Sequence, residues 1–290
     1  MAEIQTLVFG LVTGSYLIVA TLGFALVSRI EKFLNVSHAE LISLGAFVTY
    51  LLNARAAWPL PLAAVIAIVS TAVVAALVSK LAFWPMRNAS PVVLLITSVG
   101  VLYVLHGVIR TAVTPGTYSY ATRDADALDV GLFRIAPFDI AVVVLAALAV
   151  VSVHLILTRT AIGLQWRALA SDEPLALARG IDARRASLRL WFLVGALGGL
   201  AGVLLGMQGA ITTDLAFGQV LLLLSVAILA GLGSVYGVVA AALILGVAMD
   251  MSTLVIPAGY REAVAFAVVL LVLIVRPQGL SGTRLTPRTA

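Results

Sequence analysis

The stretch MAEIQTLVFGLVTGSYLIVATLGFALVSRI (residues 1–30) decides the fold class of this chain. No charged side chain occurs between Glu3 and Arg29. An apolar run of about 18 residues or more can cross the ~30 Å hydrocarbon core of a bilayer as a helix. The run is too long for a signal peptide and lacks a basic leader and a cleavage site, so we expect it to be a first membrane span.

The rest of the chain is equally apolar. Of its 290 residues 62% are hydrophobic and 11% are charged, and the mean hydropathy is +1.14, whereas soluble domains are about half apolar and about a quarter charged. We therefore predict an all-α polytopic membrane protein, a single transmembrane domain (residues 1–290) that bundles about eight to ten helices, some short or broken. The apolar segments are 5–28, 36–52, 57–79, 91–109, 136–157, 190–212, 216–232, 235–249 and 262–275.

Three of these segments are short for a membrane span. They are 36–52, 216–232 and 235–249, and the last two meet at GLGSVYG (residues 231–237). This pair could form two thin spans or one helix pair that enters the membrane part-way, and both alternatives stay open.

Basic residues predict the orientation, because cytoplasmic loops carry an excess of Lys and Arg. With nine spans, 13 basic residues lie in one set of loops and five in the other. We expect an external N-terminus and a cytoplasmic C-terminus in the inner (plasma) membrane, although a re-entrant segment would place the N-terminus inside. The net charge of +5 then needs no nucleic-acid partner. The basic set is 29–35, 80–90, 158–189 and 276–290.

The sequence contains no recognisable catalytic or metal-binding motif. The chain has no cysteine, no P-loop, no HExxH and no GxSxG. His38, His106 and His154 lack the spacing of metal ligands, and we expect the intramembrane histidines and Gln208 to pair with neighbouring helices. We place Asp139 at the membrane interface. Since no carboxylate is predicted deep in the bundle, proton-driven transport is disfavoured.

The segment NVSHAELISLGAF (residues 35–47) predicts a helix start. Ser37 and Glu40 have the spacing of a capping box. The helix could begin at the membrane surface, or it could be a broken helix whose positive end faces a pore. A second break is expected at GLGS, where Ser234 can cap the next helix. The pathway candidates are Asn35, Ser37, His38, Glu40, Gly231, Gly233 and Ser234.

Small residues at four-residue spacing mark the stretch GALGGLAGVLLG (residues 195–206). Such spacing allows helix backbones to approach closely in lipid. It predicts tight helix packing and carries no information about a substrate. The packing glycines are Gly195, Gly199, Gly202 and Gly206.

The stretch QWRALASDEPLALARGIDARR (residues 165–185) is a polar island in the loop 158–189. Ser171 is the expected N-cap, with acidic residues and Pro174 in the first turn. Gly180 should end this helix, and Asp182 should cap the next one. The short helix could lie on lipid headgroups or dock a cytoplasmic partner. The docking candidates are Ser171, Asp172, Glu173, Pro174, Ala176, Ala178, Gly180 and Asp182.

Four motifs together resemble one family, the LivH-type permease subunits of bacterial ABC importers for branched-chain amino acids. They fall in order along nearly the whole chain. Departures from the family pattern at Val36, Ser37, Ala39, Leu232 and Ser281 leave urea, short amides and other small solutes open as substrates. The four motifs are NVSHAE (35–40), RALASDEPLALARGID (167–182), GLGSVYGVVAAALILG (231–246) and VRPQGLSG (275–282).

The resemblance implies a division of labour. A second permease, either LivM-like or a copy of this chain, would complete the pathway in the lipid membrane. Two cytoplasmic ABC ATPases would bind ATP and Mg²⁺ and act on the loop helix, so that this chain itself holds no cofactor. A periplasmic or extracellular binding protein would deliver the substrate. The alternatives are a secondary transporter or channel that works without an ATPase, and a membrane scaffold without flux.

Overall fold

The chain folds into a bundle of helices in this computed structural model, which describes residues 2–121, 128–129, 131 and 133–281. The helices are α1 (Ala2–Ile30), α2 (His38–Tyr50), α3 (Leu60–Val78), α4 (Pro91–Ala112), α5 (Pro137–Arg159), α6 (Ala161–Ser171), α7 (Glu173–Ala178), α8 (Ala183–Gln208), α9 (Leu215–Ala230), α10 (Val235–Ser252) and α11 (Arg261–Val275). The short strands are β1 (Thr117–Tyr118), β2 (Leu128–Asp129), β3 (Arg134–Ile135) and β4 (Ile211–Thr212), paired antiparallel as β1–β4 and β2–β3.

Every predicted apolar segment contains a helix, and the all-α polytopic class is confirmed. Among the described residues, seven helices are long and apolar enough to cross a membrane. Three segments were expected to be short for a membrane span. For 235–249 this prediction is wrong, because the segment forms α10, which has 18 residues. The other two form α2, with 13 residues before a π-helical turn at Leu51–Arg55, and α9, with 16 residues. The seven are α1, α3 with its extension to Met86, α4, α5, α8, α10 and α11 with the preceding turn.

The loops separate into two groups at opposite ends of the bundle. At one end, which we call the loop-helix end, Glu31, Trp84 and Glu173 line one cavity. At the other, the strand end, β1 pairs with β4, and the Ala121 N–H donates to Asn53 Oδ1 at 2.8 Å. The regions 29–35, 80–90 and 158–189, which hold most of the basic residues, therefore share the loop-helix end.

Two groups of four helices have the same arrangement but run in opposite directions through the bundle. The helices α1 to α4 and α8 to α11 each comprise a long helix, a short helix and two further spans. α1 runs from the strand end to the loop-helix end and packs along α10, whereas α8 runs the opposite way and packs along α3. Inverted repeats of this kind are common in transporters and place their sites where the two halves meet.

Glycines allow both of these helix pairs to pack closely. In α1, a Cβ atom added at Gly14 would lie 3.0 Å from the Leu243 Cα atom. In α8, a Cβ atom added at Gly195 would lie 2.7 Å from the Ala72 Cα atom, and one at Gly199 would lie 3.0 Å from the Ile68 Cα atom. α1 and α8 are also the most buried spans, at 72% and 67%, while the others are at most 50% buried. They form the core of the bundle.

The short helix α2 begins inside the bundle, and α9 begins beside His106 in α4, below the end of that helix. At the start of α2, His38 Nε2 is 3.0 Å from the carbonyl of Ala20, and Val36 N–H donates to Ser98 Oγ at 3.1 Å. Ala20 precedes the end of α1 by ten residues, or about 15 Å of helix. The interpretation of this helix start as lying at the membrane surface is therefore wrong, and α2 is a broken helix that starts at depth.

Candidate functional site: a buried polar cluster and a loop helix

The predicted capping box at the start of α2 is absent. Ser37 already has helical backbone angles (φ −65°, ψ −11°), and its hydroxyl donates to Asn35 Oδ1 at 2.6 Å. The N–H groups of the first turn donate to the carbonyls three residues earlier, including Glu40 to Ser37 at 3.1 Å. Since that tighter turn satisfies the donors, neither side chain is needed as a cap.

Glu40 instead takes part in a cluster with two residues from distant parts of the chain. Its Oε1 lies 2.9 Å from Nδ1 of His106 in α4, and His106 Nε2 lies 3.7 Å from Asp214 Oδ1 at the start of α9. We call Glu40, His106 and Asp214 the polar cluster. The Glu40 side chain is 0% exposed, so the prediction of no deep carboxylate is wrong. The cluster joins the N-terminal ends of the two broken helices.

Several polar atoms around this cluster have no partner among the described residues. They are Glu40 Oε2, Asn35 Nδ2 and His38 Nδ1. Buried polar groups in native proteins are nearly always hydrogen-bonded, and exceptions point to a water, an ion or a ligand. The start of α2 therefore offers unused donors and acceptors at the centre of the bundle, where a polar solute could exchange contacts.

The surface around Asp214 is open and unlike a lipid-facing surface. The Asp214 side chain is 63% exposed, although the His106 it contacts lies six residues, or about 9 Å, before the end of α4. Phe217 packs edge-on against His106, with ring centroids 4.9 Å apart. Added Cβ atoms at Gly107 and Gly218 would meet nothing within 4 Å. We call these α4 and α9 residues, with Gly100 and Tyr103, the α4–α9 face.

A charged side chain at this depth is not stable against acyl chains, because it costs several kcal/mol even by the lowest scales. Exposed glycines on the same face allow another helix to approach closely. The α4–α9 face thus has the properties of a surface covered by protein or by water.

The loop helix α7 begins one residue later than predicted. Ser171 is the last residue of α6, and Asp172 is the cap, its Oδ1 accepting from the Leu175 N–H at 3.0 Å. The prediction that Ser171 is the N-cap of this helix is wrong. Ser171 is still part of α6, so its hydroxyl does not cap the first turn of α7. Gly180 (φ +82°) ends the turn after α7, and Asp182 Oδ1 accepts from the Arg185 N–H at 3.1 Å.

The loop helix presents apolar side chains outside the bundle. Only Ala176 is buried, while Leu175 and Leu177 are 54% and 41% exposed. Glu173, Pro174 and Ala178 are exposed as well. Exposed apolar side chains on this helix fit both alternatives, contact with lipid headgroups and docking of another protein.

The helix α6 was not predicted as a separate element. Its Thr160 cap accepts from the Gly163 N–H at 3.0 Å, and Trp166 Nε1 donates to the Ala186 carbonyl at 2.9 Å. Thr160 and the spaced apolar residues after it are a sequence signal that could have indicated this helix. The helix α6 packs against α5, α8 and the loop helix that follows it.

Glu31 connects the end of α1 to the start of α8. Its Oε1 accepts hydrogen bonds from Ser187 Oγ at 2.5 Å and from Trp191 Nε1 at 3.0 Å. The Trp191 ring stacks on Phe83 with centroids 4.7 Å apart. The pKa of the Glu31 carboxyl is raised above its ordinary value, chiefly by burial and also by the negative charge of Glu173. The hydrogen bonds from Ser187 and Trp191 offset part of this rise. Sequence reasoning missed this residue because its partners lie more than 150 residues away.

The predicted break before α10 is present but lies away from the polar cluster. Gly231 and Gly233 have positive φ angles, and Ser234 Oγ accepts from the Gly237 N–H at 3.0 Å. This turn lies at the loop-helix end, where an added Cβ at Gly233 would be 3.1 Å from the Arg29 Cα atom. The C-terminal segment binds here too, the Leu280 N–H donating to the Leu229 carbonyl at 2.8 Å. The two groups of pathway candidates are therefore not brought together.

The remaining polar candidates lie outside the cluster. His154 Nδ1 is 2.6 Å from the Tyr236 hydroxyl, which pairs α5 with α10. Asp139 Oδ2 accepts from the Ala136 N–H at 3.3 Å at the start of α5. Gln208, expected to pair with a neighbouring helix, is exposed at the end of α8 and has no hydrogen bond to a described residue. That prediction was wrong because α8 ends there.

The packing glycines of α8 lie against three different parts of the chain. Gly195 and Gly199 face α3, Gly202 faces the α2 backbone at Ile42, and Gly206 faces the Tyr120 ring. Added Cβ atoms at Gly202 and Gly206 would overlap these groups. The α8 glycines thus hold α2, with Glu40, in its position.

Comparisons with known proteins agree with a membrane transport role. Residues 6–273 match the family described as the branched-chain amino acid transport system permease component. The chain is 27% identical over 299 residues to the high-affinity branched-chain amino acid transport system permease protein BraD of Pseudomonas aeruginosa, which covers 96% of this chain and 95% of the relative. Its identity to the corresponding protein LivH of Escherichia coli is 26% over 297 residues, with the same coverage.

A shorter match involves a second kind of permease. The chain is 30% identical over 126 residues to the permease protein LivM of Escherichia coli, covering 43% of this chain and 29% of the relative. No solved structure shows a significant match. Because the family match spans most of its length, this chain belongs to the permease components of branched-chain amino acid transport systems. It is a multi-pass inner-membrane permease subunit of an ABC importer and is not an enzyme in itself.

Proposed function

We propose that this chain and a second permease subunit form a pathway for branched-chain amino acids or similar small polar solutes, driven by two separate ATPases. The observation that carries the pathway is the polar cluster. It sets carboxylates and an imidazole at the N-terminal ends of two broken helices. Half-helix ends near the midplane are where transporters bind their substrates.

The second permease covers the α4–α9 face, and the solute passes between the two subunits. Asp214 then meets water or solute rather than lipid, which removes the cost of its exposure. The partner is either a LivM-like chain or a copy of this one. The match to LivM indicates that two kinds of permease are related within this family.

The ATPases bind at the loop helix. Leu175 and Leu177 supply an apolar docking surface, and the cap at Asp172 stabilises α7 so that it can transmit a push to α8, whose start is capped by Asp182. The excess of basic residues in the loops at this end favours a cytoplasmic location for it and for the C-terminus. ATP and Mg²⁺ are bound by the ATPases, and an external binding protein delivers the solute at the strand end.

Transport proceeds by alternating access. Closure of the ATPase pair moves α7, and α8 follows because Trp166 ties α6 to its first turn. Since α8 packs on α2 through glycines, tilting of α8 changes the position of Glu40 relative to His106. Small-residue packing surfaces permit such sliding without steric barriers from side chains.

Reconstitution tests this function. The permease pair with its ATPases should take up radiolabelled leucine into proteoliposomes only with ATP and binding protein. Glu173→Lys, or Gly180 replaced by a bulky residue, should abolish uptake while membrane insertion is kept. Full uptake by these two variants would remove the coupling role of the loop helix.

A secondary transporter is the second candidate, and one observation favours it. The buried Glu40–His106 pair is the kind of group that proton-coupled carriers use. That function predicts uptake by the purified chain alone, driven by a proton gradient and without ATP. A membrane scaffold predicts no flux with or without either energy source.

A further inference from the structure

A cavity of about 110 Å³ opens at the loop-helix end, well away from the polar cluster. It lies where the turn after α1, the 3₁₀ turn after α3 and the loop helix meet. None of its residues was a pathway candidate in the sequence. Its walls are Ile30, Glu31, Lys32, Phe33, Phe83, Trp84, Arg87, Leu94, Leu169, Glu173, Ala183 and Ser187.

Two acidic and two basic side chains line this cavity without pairing. Glu31, Lys32, Arg87 and Glu173 form no ion pair with any described residue. The hydrogen-bond partners of Glu31 are the neutral donors Ser187 and Trp191. A half-buried carboxylate that is held only by neutral donors gains from a cation placed beside it.

The rest of the wall is apolar and aromatic. The Phe33 and Phe83 rings lie 5.2 Å apart, and the Arg87 guanidinium stacks over Trp84 at 4.5 Å. Stacking holds the planar guanidinium with its N–H edges free, which suits it to bind a carboxylate through two hydrogen bonds. The cavity thus offers charges of both signs beside an apolar wall.

We propose that this cavity binds a free hydrophobic amino acid as its zwitterion. The ammonium group lies at Glu31 and Glu173, the carboxylate at Arg87 and Lys32, and the side chain against Phe33 and Phe83. The cavity is smaller than the roughly 150 Å³ that encloses a benzene-sized molecule, so it covers only part of one amino acid, and the rest of the ligand lies in its opening.

Such a ligand would regulate transport from the side of the ATPases, and this step rests on the proposed function. It would join Glu173 on the loop helix to Glu31, which is fixed to α8, and to Arg87 after α3. Elements that must move against each other during coupling would be held together. Amino acid that accumulates at this side would then slow ATP hydrolysis.

Binding of L-leucine to the purified full-length chain in nanodiscs, measured by equilibrium dialysis without binding protein or ATPase, tests the site. We expect saturable binding, weakened about tenfold or more by Glu31→Gln or by Arg87→Gln, since each removes one charge-assisted contact. Lys80→Gln, at the same end but outside the cavity, should leave binding unchanged. Arg87 is exposed, so its variant keeps the fold even if Glu31→Gln does not.

Binding of two leucine analogues provides a second test of the site. Leucinamide, without the carboxylate, and isocaproate, without the ammonium group, should each bind about tenfold or more weakly than leucine. Absence of saturable leucine binding, equal binding of isocaproate, or insensitivity to both cavity variants would overturn the proposal. A loss of binding in Glu40→Gln would assign the leucine to the polar cluster and overturn it too.

The regulatory step has its own readout. In the reconstituted complex, leucine on the ATPase side should lower ATP hydrolysis, and Arg87→Gln should relieve this inhibition. Hydrolysis that ignores leucine would overturn the regulatory step. Normal ATP-driven uptake together with no leucine binding would reject the cavity site alone, whereas binding without any ATP-driven uptake would reject the proposed function alone.

Discussion

The Glu40 carboxylate lies 2.9 Å from Nδ1 of His106, although 66 residues separate them in the chain. Glu40 is in the first turn of the broken helix α2, and His106 is deep in α4. Asp214, at the start of the oppositely directed α9, lies on the far side of the imidazole. One histidine therefore connects the starts of two helices that enter the bundle from opposite ends.

Replacement of Glu40 tests the functional role of this pair. In Glu40→Gln the shape is kept but the carboxyl group is lost, and we expect uptake to fall about tenfold or more, the equivalent of one hydrogen bond between the two side chains of the pair. Proteoliposome uptake measures the change, and size-exclusion chromatography checks the fold. The matched control is Glu262→Gln at the exposed start of α11. Equal uptake by both variants would mean that the pair is only structural.

The close approach of α8 and α2 predicts a stability effect. Gly202→Ala places a Cβ atom against the Ile42 carbonyl and the Ala46 nitrogen. We expect a loss of about 1–3 kcal/mol in stability, because a packed backbone cannot move aside without strain. A lower thermal midpoint in detergent would measure it. Gly209→Ala, where an added Cβ meets nothing within 4 Å, is the control and should leave the midpoint unchanged.

The α4–α9 face predicts an effect on assembly without one on folding. Gly107→Leu meets nothing within 4 Å in the single chain, so its fold should be kept. If the second permease packs here, the larger side chain should prevent close helix contact and abolish co-purification of the two permeases. Normal recovery of the complex with Gly107→Leu would exclude this face as the contact.

The cap of the loop helix predicts a contrast between neighbouring residues. Asp172→Ala removes the acceptor of the Leu175 N–H and should destabilise the loop helix by about 1 kcal/mol. Ser171→Ala should have no effect, because Ser171 belongs to α6. Amide hydrogen exchange of residues 173–180 should be faster in Asp172→Ala than in Ser171→Ala. Similar exchange in both variants would contradict the assigned cap.

Local features of the fold were predictable from the sequence. Apolar runs located every helix that can span among the described residues, although they gave α10 too short, and the side chains of Asp182 and Ser234 cap the helices expected of them. These features depend only on neighbouring residues, so composition and spacing were sufficient to find them. Gly180 likewise ends its turn with the positive φ that glycine favours.

Long-range features were not predictable. Ser37 and Glu40 have capping spacing, but the depth at which α2 begins gives Glu40 a different partner in His106. The inverted packing of α1 with α10 and α8 with α3 depends on contacts between distant helices. The ion pair of Asp250 with Arg261, and the hydrogen bond that Thr13 donates to Asp250, were likewise not anticipated. A single sequence carries no signal for which distant helices meet.

Cross-linking at the loop helix tests the central claim, that a separate ATPase acts on this chain at α7. The chain has no cysteine, so Leu175→Cys introduces a unique thiol. In the assembled importer we expect a bifunctional thiol-to-amine reagent to join it to the ATPase, with a yield that changes when ATP is added. Val255→Cys, 88% exposed at the strand end, should give no such product. No cross-link from Leu175→Cys in a complex that is active in ATP-driven uptake would contradict the account.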